Sequence, residues 1–359
     1  MEACIKTKLE ERNNRIIQAI IKKAEKICPG AIDLIGIAGS FYSGDIYEKS
    51  DLDLCIVIND KSAWKIASCF IIEDVAFDIY GTSWSKLEEM SEYNNPYITK
   101  LLELDIIYSN DDKCTQNYME LRSKVINKLN QVYSLEDNEK AEKFFNEAKK
   151  DYADVMLSHD FGECNYAKAN MLYNIEFAMY MCNKTYVKRG IKRIPEEIST
   201  MNYLPTGFNE LYWDLIKADS IEDIKEKSTI LMKTVKSFAQ QMKDKVIIKK
   251  EIKEEDINGT YEEIYSNWKN KMFHAADMND VYLSLMTAAS CQNFYDEMYN
   301  EYNIDKIDLM KDFRADNLIL SAKVFDNAME VYKKNYDRLG AKIKHYKDLD
   351  EFEKKYLEK

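Results

Sequence analysis

Three short apolar stretches near the N-terminus constrain the fold of this chain most. The first covers residues 32–38 and stops at Gly39-Ser40, the second covers residues 51–58, and the third covers residues 75–80. A polar loop that contains a second glycine joins the first stretch to the second. We interpret the three stretches as strands, with a turn of a size that suits a phosphate after the first.

Three carboxylates interrupt these apolar stretches. Alternate residues share a face in a strand, so Asp51 and Asp53 should point the same way while Leu52 points into the opposite layer. Asp78 interrupts the third stretch in the same manner. Carboxylates on apolar strands are costly to bury without a compensating cation, and paired carboxylates are a usual way to hold Mg²⁺ against substrate phosphates. Two solvent-facing aspartates after an ordinary turn are the alternative, but that gives no reason for the third.

The turn after the first strand suits an anion. Gly39 lets the backbone come close to a phosphate. Ser40 and the residues after it offer N–H groups and a hydroxyl at the start of the next segment, where anions are favoured.

Together these residues resemble a known superfamily. The order Gly39-Ser40, then Ser50-Asp51-x-Asp53, then a single aspartate in a later strand is similar to that of the DNA polymerase beta-type nucleotidyltransferases. The resemblance implies transfer of a nucleoside monophosphate from a nucleoside triphosphate to an acceptor hydroxyl, with release of pyrophosphate. Such catalysis consists mostly of positioning and charge neutralisation around two divalent metal ions.

The resemblance also implies roles for individual residues. Asp51 and Asp53 would bind two Mg²⁺ ions, and Asp78 would bind the catalytic ion and help to deprotonate the acceptor. Gly39 and Ser40 would hold the β- and γ-phosphates. ATP, or another NTP, is the expected donor.

The helical part of the sequence carries a weaker likeness. An alanine-containing helix and an aromatic-rich helix precede Asn183-x-x-Tyr186-x-x-x-Gly190-x-Lys192, and Pro205 follows. This order resembles the bundle that follows the catalytic domain in bacterial small-molecule nucleotidyltransferases, including aminoglycoside adenylyltransferases. The likeness extends to about residue 245, and residues 259–359 match no family pattern.

A basic cluster lies within that helical likeness. It comprises Lys188, Arg189, Lys192 and Arg193, and it is the best candidate outside the sheet for a triphosphate clamp. Lys192 fits the family pattern best and, with Ser50, completes the expected nucleotide-binding set. A solvated cluster of charges at a helix end is the alternative.

Other carboxylates compete for catalytic roles. Glu103 and Asp105 lie in an apolar run near residues 101–108 that is predicted to be an edge strand, and either could replace Asp78. In some relatives a carboxylate of the helical domain acts as general base. The candidates for that role are Glu147, Glu163 and Glu176, each of which could instead be a surface residue.

Composition narrows the class of partner and the compartment. The chain has 359 residues and a net charge of −12, which argues against duplex nucleic acid because phosphate contacts need a basic footprint. The charge is compatible with a cationic acceptor such as an aminoglycoside, although many cytosolic proteins are simply acidic. No apolar run reaches membrane-spanning length and residues 1–6 lack the apolar core of a signal peptide, so we expect a cytoplasmic protein without a membrane partner. The eight scattered cysteines are predicted to be free thiols.

The predicted fold class is α+β, with a small mixed-sheet nucleotidyltransferase domain followed by an all-helical bundle region. The glycine-rich N-terminal part predicts a catalytic domain over residues 1–115. The glycine-poor remainder predicts a helical bundle domain over residues 116–250 and a C-terminal helical region over residues 251–359. The sequence leaves the oligomeric state open.

Three functions remain open from the sequence. The first is nucleotidylation of a small hydroxyl-bearing acceptor, for example an aminoglycoside-type antibiotic, which would confer resistance. The second is nucleotidylation of a protein hydroxyl, as in minimal nucleotidyltransferase antitoxins, which are much shorter. The third is a catalytically silent nucleotide-binding module, which the presence of all three aspartates disfavours.

Overall fold

A small mixed sheet near the N-terminus precedes a long helical region, and this confirms the predicted α+β class. The structure is a computed structural model that describes residues 2–358. Its six strands are β1 (Ile32–Ile37), β2 (Leu54–Ile58), β3 (Ser68–Ile72), β4 (Val75–Ile79), β5 (Gly81–Ser83) and β6 (Asp105–Ser109).

Four of the strands form the main sheet, in the order β5-β2-β1-β6. Strand β1 pairs antiparallel with both β2 and β6, whereas β2 pairs parallel with β5. The apolar run near residues 101–108 was predicted to be an edge strand, and its second half is one, as β6, whereas Leu101 and Leu102 belong to a helical turn, Thr99–Leu102. The third predicted strand is β4, which pairs antiparallel with β3 in a separate two-stranded sheet.

The helices occupy most of the remaining chain. They are α1 (Glu2–Ile27), α2 (Gly39–Ser43), α3 (Trp84–Ser91), α4 (Thr99–Leu102), α5 (Asp112–Asn130), α6 (Leu135–Leu157), α7 (Phe161–Cys182), α8 (Ile194–Ser199), α9 (Phe208–Ile216), α10 (Ile221–Val246), α11 (Glu254–Ile257), α12 (Thr260–Ile264), α13 (Asn270–Asp277), α14 (Val281–Glu301), α15 (Leu318–Leu339) and α16 (Leu349–Leu357). Shorter 3₁₀ turns cover Lys61–Ile66 and Ile191–Arg193, and a π-helical turn covers Tyr265–Lys269.

Side-chain capping explains several helix starts. Ser83 accepts a hydrogen bond from the Lys86 N–H at 3.2 Å and so caps α3. Ser134 and Asp137 form a reciprocal capping box at the start of α6. Gly340, with φ of 71°, ends α15 in the left-handed conformation that glycine adopts without strain.

The two faces of the main sheet bury different apolar sets, because side chains alternate along each strand. Ile35 and Ile56 pack with α1 residues such as Ile16 and Ile20 on one face. Leu34 and Val57 belong to the core that the sheet shares with the helices after it. Helix α1 therefore packs on one face of the sheet, and the sheet is covered on both faces.

The described residues form two compact units, Met1–Ile247 and Ile248–Lys359. The first contains the sheet and helices α1 to α10. The second is helical, and its core includes Tyr295, Phe325 and Tyr332. The three domains predicted from the sequence stay predictions. None of the helices within residues 2–358 has the length and apolarity that crossing a bilayer requires.

Candidate functional site

Gly39 and Asp53 make the closest approach in the candidate site. Gly39 follows β1 directly, begins the short helix α2 and has φ of +64°. A Cβ atom built on it would lie 1.8 Å from Oδ2 of Asp53. Only glycine fits there, because a side chain would collide with the carboxylate and would also be strained at this φ. The backbone N–H of Ser40 donates a hydrogen bond to the same carboxylate.

Asp51 and Asp53 lie in an extended segment just before β2, and not within the strand as predicted. The alternation holds nevertheless, since Leu52 and Leu54 are buried while both aspartates are exposed. The Ala38 N–H donates to the Asp53 carbonyl at 2.9 Å, which continues the register of β1 and β2 by one residue beyond the Ile37–Leu54 pair. The two acids therefore reach the cavity from a non-regular edge.

The surroundings of Asp53 disfavour the negative charge of its carboxylate, which a bound cation would stabilise. Its pKa is raised, first by loss of water around the carboxylate and then by the negative charge of Asp51. The charges of Lys100 and Lys192 and the Ser40 hydrogen bond act in the opposite direction. Although the side chain reaches solvent, the oxygen packed against Gly39 is shielded from it. A divalent cation would remove the repulsion between the two carboxylates, so this donor pair fits Mg²⁺.

Ser50 shapes the loop before the two aspartates. It is 1% exposed, its hydroxyl accepts from the Tyr47 N–H at 3.0 Å, and its own N–H donates to the Tyr47 carbonyl at 2.9 Å. Arg12 of α1 donates to the Ser50 carbonyl at 2.6 Å. Ser50 lines the cavity, but its hydroxyl is engaged in the loop. Its role in nucleotide binding stays a prediction.

Asp78 is not brought to the same place. It lies on β4, and its carboxylate accepts a hydrogen bond from the Cys69 thiol of β3 at 3.1 Å. That contact raises the pKa of Cys69. Asp78 does not line the cavity that holds Asp51 and Asp53, because β3 and β4 form their own sheet. Among the side chains described, those of residues 6–358, no three carboxylate, thiol or imidazole groups are gathered closely enough for a metal ion.

The pairing of the main sheet does not extend to Asp78. Ile56 of β2 pairs with Gly81 of β5 in parallel, whereas Asp78 lies opposite Cys69 in the β3–β4 pair. Tyr80, two residues after Asp78, lines the cavity. The role of Asp78 as third ligand stays a prediction.

The two acids that could replace Asp78 as third ligand, Glu103 and Asp105, lie in other surroundings. Glu103 accepts a hydrogen bond from the Tyr186 hydroxyl, and Asp105 pairs with Ile37 at the edge of the sheet. Neither lines the cavity. These positions give no support to either acid as a replacement for Asp78.

Asp51 and Asp53 open into a cavity of about 800 Å³ within the first unit. Besides Gly39, Ser40 and Ser50, its lining includes four aromatic side chains and five basic ones. The aromatic residues are Tyr47, Trp64, Tyr80 and Tyr97, and the basic ones are Lys86, Lys100, Lys188, Arg189 and Lys192. The volume lies in the range of sites that enclose small molecules.

The segment that brings Lys188 and Lys192 to the cavity is tied to the chain around Pro96. The Val187 N–H donates to the Pro96 carbonyl at 3.1 Å, and the buried Tyr93 hydroxyl donates to the Thr185 carbonyl at 2.7 Å. The Thr99 hydroxyl donates to the Val187 carbonyl. These bonds fix the segment after α7 beside the sheet, so three of the four predicted basic residues line the cavity.

Asp45 connects this basic segment to the glycine loop. Its carboxylate lies 3.2 Å from Lys192 Nζ and 3.1 Å from Arg193 Nε. The hydrogen bond from Arg193, followed by that from Lys192, lowers the pKa of Asp45 to about 2. Lys192 Nζ also lies 5.5 Å from the centre of the Tyr47 ring. The ion pairs therefore hold Lys192 over the cavity.

The three candidate general bases differ in burial. Glu147 is exposed and pairs with Lys150 at 2.5 Å, and Glu163 is exposed in the first turn of α7. Glu176 is 9% exposed and accepts a hydrogen bond from the Tyr212 hydroxyl. Burial raises the pKa of Glu176 to about 7. None of the three lines the cavity, so a general base from the helical region stays a prediction.

The sequence interpretation missed several residues of the cavity. Lys100 lies 4.2 Å from the centre of the Tyr80 ring, and its charge reaches Asp53. Asp45 was not singled out either, although it lies in the glycine loop. A lysine four residues after Pro96 and an acid directly after Gly44 were the available signals, and neither is unusual near a turn.

Comparison with known proteins adds little. No known family profile matches the sequence, and no curated protein matches it either. The chain is similar to a solved nucleotidyltransferase-like protein from Exiguobacterium sibiricum 255-15, at 12% identity and a TM-score of 0.39. The match covers 65% of this chain and 75% of that one. A likeness this low identifies neither the family nor the function of this protein.

Proposed function

We propose that this protein is a metal-dependent nucleotidyltransferase. It would move a nucleoside monophosphate, most simply AMP, from an NTP to a hydroxyl of a small molecule and release pyrophosphate. The observation that carries the proposal is the close approach of Gly39 to Asp53, with Asp51 beside it at the edge of a cavity lined by basic side chains.

The charges of the cavity suit a triphosphate. Lys100 and Lys192 each act on Asp53 from within the cavity, and Lys188 and Arg189 enter from the same basic segment as Lys192. Lysine and arginine bind phosphate oxygens through charge-assisted hydrogen bonds. Lys192 would exchange its ion pair with Asp45 for the phosphates, and Arg193 would keep the loop attached.

Asp51 and Asp53 would hold the Mg²⁺ ions. When bound, the ions would neutralise charge on the phosphates and orient the acceptor oxygen. The chain's own part is to keep both carboxylates ionised and aimed at one point. The Ser40 hydrogen bond and the two lysine charges favour the ionised form of Asp53. Asp78 would bind an ion together with Asp51 and Asp53 only if β4 moved closer to the main sheet.

The acceptor is better described as neutral or anionic than as a polycation. The cavity lining has five basic residues and three acids, Asp45, Asp51 and Asp53. Two of these acids are assigned to metal ions, and the third is paired with Lys192 and Arg193. No carboxylate of the lining is then left to receive ammonium groups, so an aminoglycoside-type acceptor, and with it antibiotic resistance, has little support from these charges. The half-exposed Tyr80 and Tyr97 rings would suit the apolar face of a hydroxylated ring.

A pyrophosphate-release assay tests the proposal. The purified protein is given Mg²⁺, each NTP in turn and a panel of hydroxyl compounds that are grouped by charge. We expect release with at least one neutral or anionic compound, and a loss of about a hundredfold or more in Asp53→Asn, because that change removes charge where two cations must lie. Wild-type rates in the folded variant would refute the assignment.

The same assay separates the rival functions. Release that requires a partner protein as acceptor would favour a protein-modifying nucleotidyltransferase. Binding of NTP without release under any condition would favour a silent nucleotide-binding module. The cavity volume of about 800 Å³ favours a small acceptor over a protein acceptor.

A further inference from the structure

A second cavity, of about 780 Å³, lies between helix α1 and the β3–β4 strand pair. Its inner wall is apolar and consists of Leu9, Ile16, Ile20, Ile66, Val75 and Ile79. It shares no lining residue with the cavity that holds Asp51 and Asp53. The nucleotidyltransferase proposal does not use it.

The polar part of this second cavity has an excess of basic side chains. Lys8, Arg12, Arg15, Lys23 and Lys49 line it, against the acids Glu11, Glu48 and Glu73. The whole chain has the opposite balance, with 51 basic and 63 acidic residues. A local excess of positive charge in an acidic protein raises the local concentration of anions.

Three of these cations have partners. Lys8 lies 3.8 Å from Glu73, between two exposed side chains. Arg12 donates to the Ser50 carbonyl at 2.6 Å and Lys23 to the Ile66 carbonyl at 3.3 Å. Neither carbonyl neutralises a charge, so only Lys8 has a carboxylate partner.

The other two cations are unengaged. Arg15 and Lys49 are exposed, and the side chain of neither makes a hydrogen bond or ion pair with residues 6–358, whose side chains the structure describes. They belong to different elements, since Arg15 is on α1 and Lys49 is in the loop before Asp51. Both line the same cavity beside its apolar wall.

We propose that this cavity binds a small amphipathic anion, with one carboxylate or phosphate head and an apolar body. The head would lie with Arg15 and Lys49, because guanidinium and ammonium groups bind both kinds of anion through charge-assisted hydrogen bonds. The body would cover the apolar wall, where each buried methylene is favourable by about 0.8 kcal/mol. The volume suits one molecule of drug-like size.

The position of the cavity connects such a ligand to the candidate catalytic segment. Glu48 and Lys49 line the second cavity, and the next two residues, Ser50 and Asp51, line the first. Arg12 lines the second cavity and holds the Ser50 carbonyl. A bound anion would therefore contact the loop that carries Asp51.

Calorimetric titration of the full-length protein tests the inference with dodecyl phosphate, kept below the concentration at which it forms micelles. We expect one molecule to bind per chain. Inorganic phosphate, which lacks the tail, and dodecyltrimethylammonium, which has the tail and the opposite charge, should each bind at least about tenfold more weakly. Equal binding of the cation, or no binding of dodecyl phosphate, would overturn the proposal.

Charge-reversed variants locate the site. Arg15→Glu and Lys49→Glu are both changes of exposed residues, so folding should be retained, and each should weaken binding by about tenfold. Lys26→Glu makes the same charge change in the last turn of α1 outside the cavity and should leave the affinity unchanged. Wild-type affinity in both cavity variants would show that the anion binds elsewhere. Binding to anionic vesicles without binding of monomeric dodecyl phosphate would likewise contradict a small-molecule site.

Discussion

At the scale of the residue, one contact explains why a glycine follows the first strand. The Gly39 backbone occupies the space beside the Asp53 carboxylate, and its positive φ directs the chain into α2. The sequence interpretation gave this glycine to the phosphates of the nucleotide. In the structure it also makes room for the acid, so one residue would serve both the metal side and the phosphate side of the site.

Alanine variants of two glycines distinguish the steric collision with Asp53 from the strain of a positive φ. Gly39 and Gly44 both have positive φ, of +64° and +75°, but a Cβ at Gly44 meets nothing within 4 Å. Gly44→Ala should cost about 1 kcal/mol of unfolding free energy from the left-handed conformation alone. Gly39→Ala should cost more, and should also weaken Mg²⁺-dependent ATP binding by about tenfold, because Asp53 must move. Urea unfolding and calorimetry measure the two effects, and equal behaviour of the variants would contradict the close contact.

Glu176 predicts a pH dependence of stability. Its pKa in the folded state is raised to about 7 by burial, from an ordinary value of 4.5. A carboxyl group with a raised pKa favours the fold while it is protonated, so this stabilisation is fully present below about pH 4.5 and is lost as the pH rises through about 7. The groups around Glu176 are the tyrosines Tyr97, Tyr173, Tyr180 and Tyr212, which stay neutral over that range.

Glu176→Gln should therefore become more stable relative to the wild type as the pH rises. The amide oxygen can still accept from Tyr212, and the expected gain between pH 4.5 and 7.5 is about 2 to 3 kcal/mol. Urea unfolding at several pH values measures it, with the exposed Glu147→Gln as the matched control. A constant difference between Glu176→Gln and the wild type over that range would contradict a raised pKa.

At the scale of the element, the site combines a segment before β2 with a turn after α7. The basic segment Ile191–Arg193 is held by Asp45 from one side, and the hydrogen bonds around Val187 attach the preceding residues to the chain near Pro96. Lys192 is therefore placed by tertiary contacts from both sides.

Lys192→Ala should raise the KM for the nucleotide by about tenfold, because a charge-assisted contact to phosphate is lost. The fold should be retained, since Arg193 keeps its own ion pair with Asp45. Steady-state kinetics measure the effect, and Lys217→Ala, which removes an exposed lysine outside the cavity, is the control. An unchanged KM in Lys192→Ala would mean that the basic segment does not clamp the nucleotide.

The sequence predicted which segments form strands and helices better than it predicted how those elements are arranged in space. The alternation of polar and apolar residues separated the exposed from the buried side chains around Asp53. The resemblance of residues 183–192 to the family pattern pointed to Lys192, which lines the cavity. Alternation does not say to which sheet a strand belongs, and so it could not show that the strand with Asp78 lies outside the main sheet. Lys100 and Asp45 were missed for a related reason, since the short helix that carries Lys100 and the loop that carries Asp45 are placed by tertiary contacts such as that between Pro96 and Val187.

At the scale of the whole molecule, the candidate site and the second cavity both lie within the unit Met1–Ile247. Both have linings with more basic than acidic residues, although the chain carries a net charge of −12. The acidic groups are therefore distributed mostly away from the two cavities. That distribution fits small anionic ligands better than a nucleic acid duplex, which would need an extended basic surface.

The central claim is that Asp51 and Asp53 hold a metal-bound nucleotide beside Gly39. Calorimetric titration of ATP into the full-length protein, with and without Mg²⁺, tests it most directly, on the wild type and on Asp53→Asn. We expect binding that requires Mg²⁺ in the wild type and is weakened at least about tenfold in the variant, which should stay folded because it loses a carboxylate whose ionisation is disfavoured. Equal affinity with and without Mg²⁺, or an unchanged affinity in Asp53→Asn, would contradict the claim.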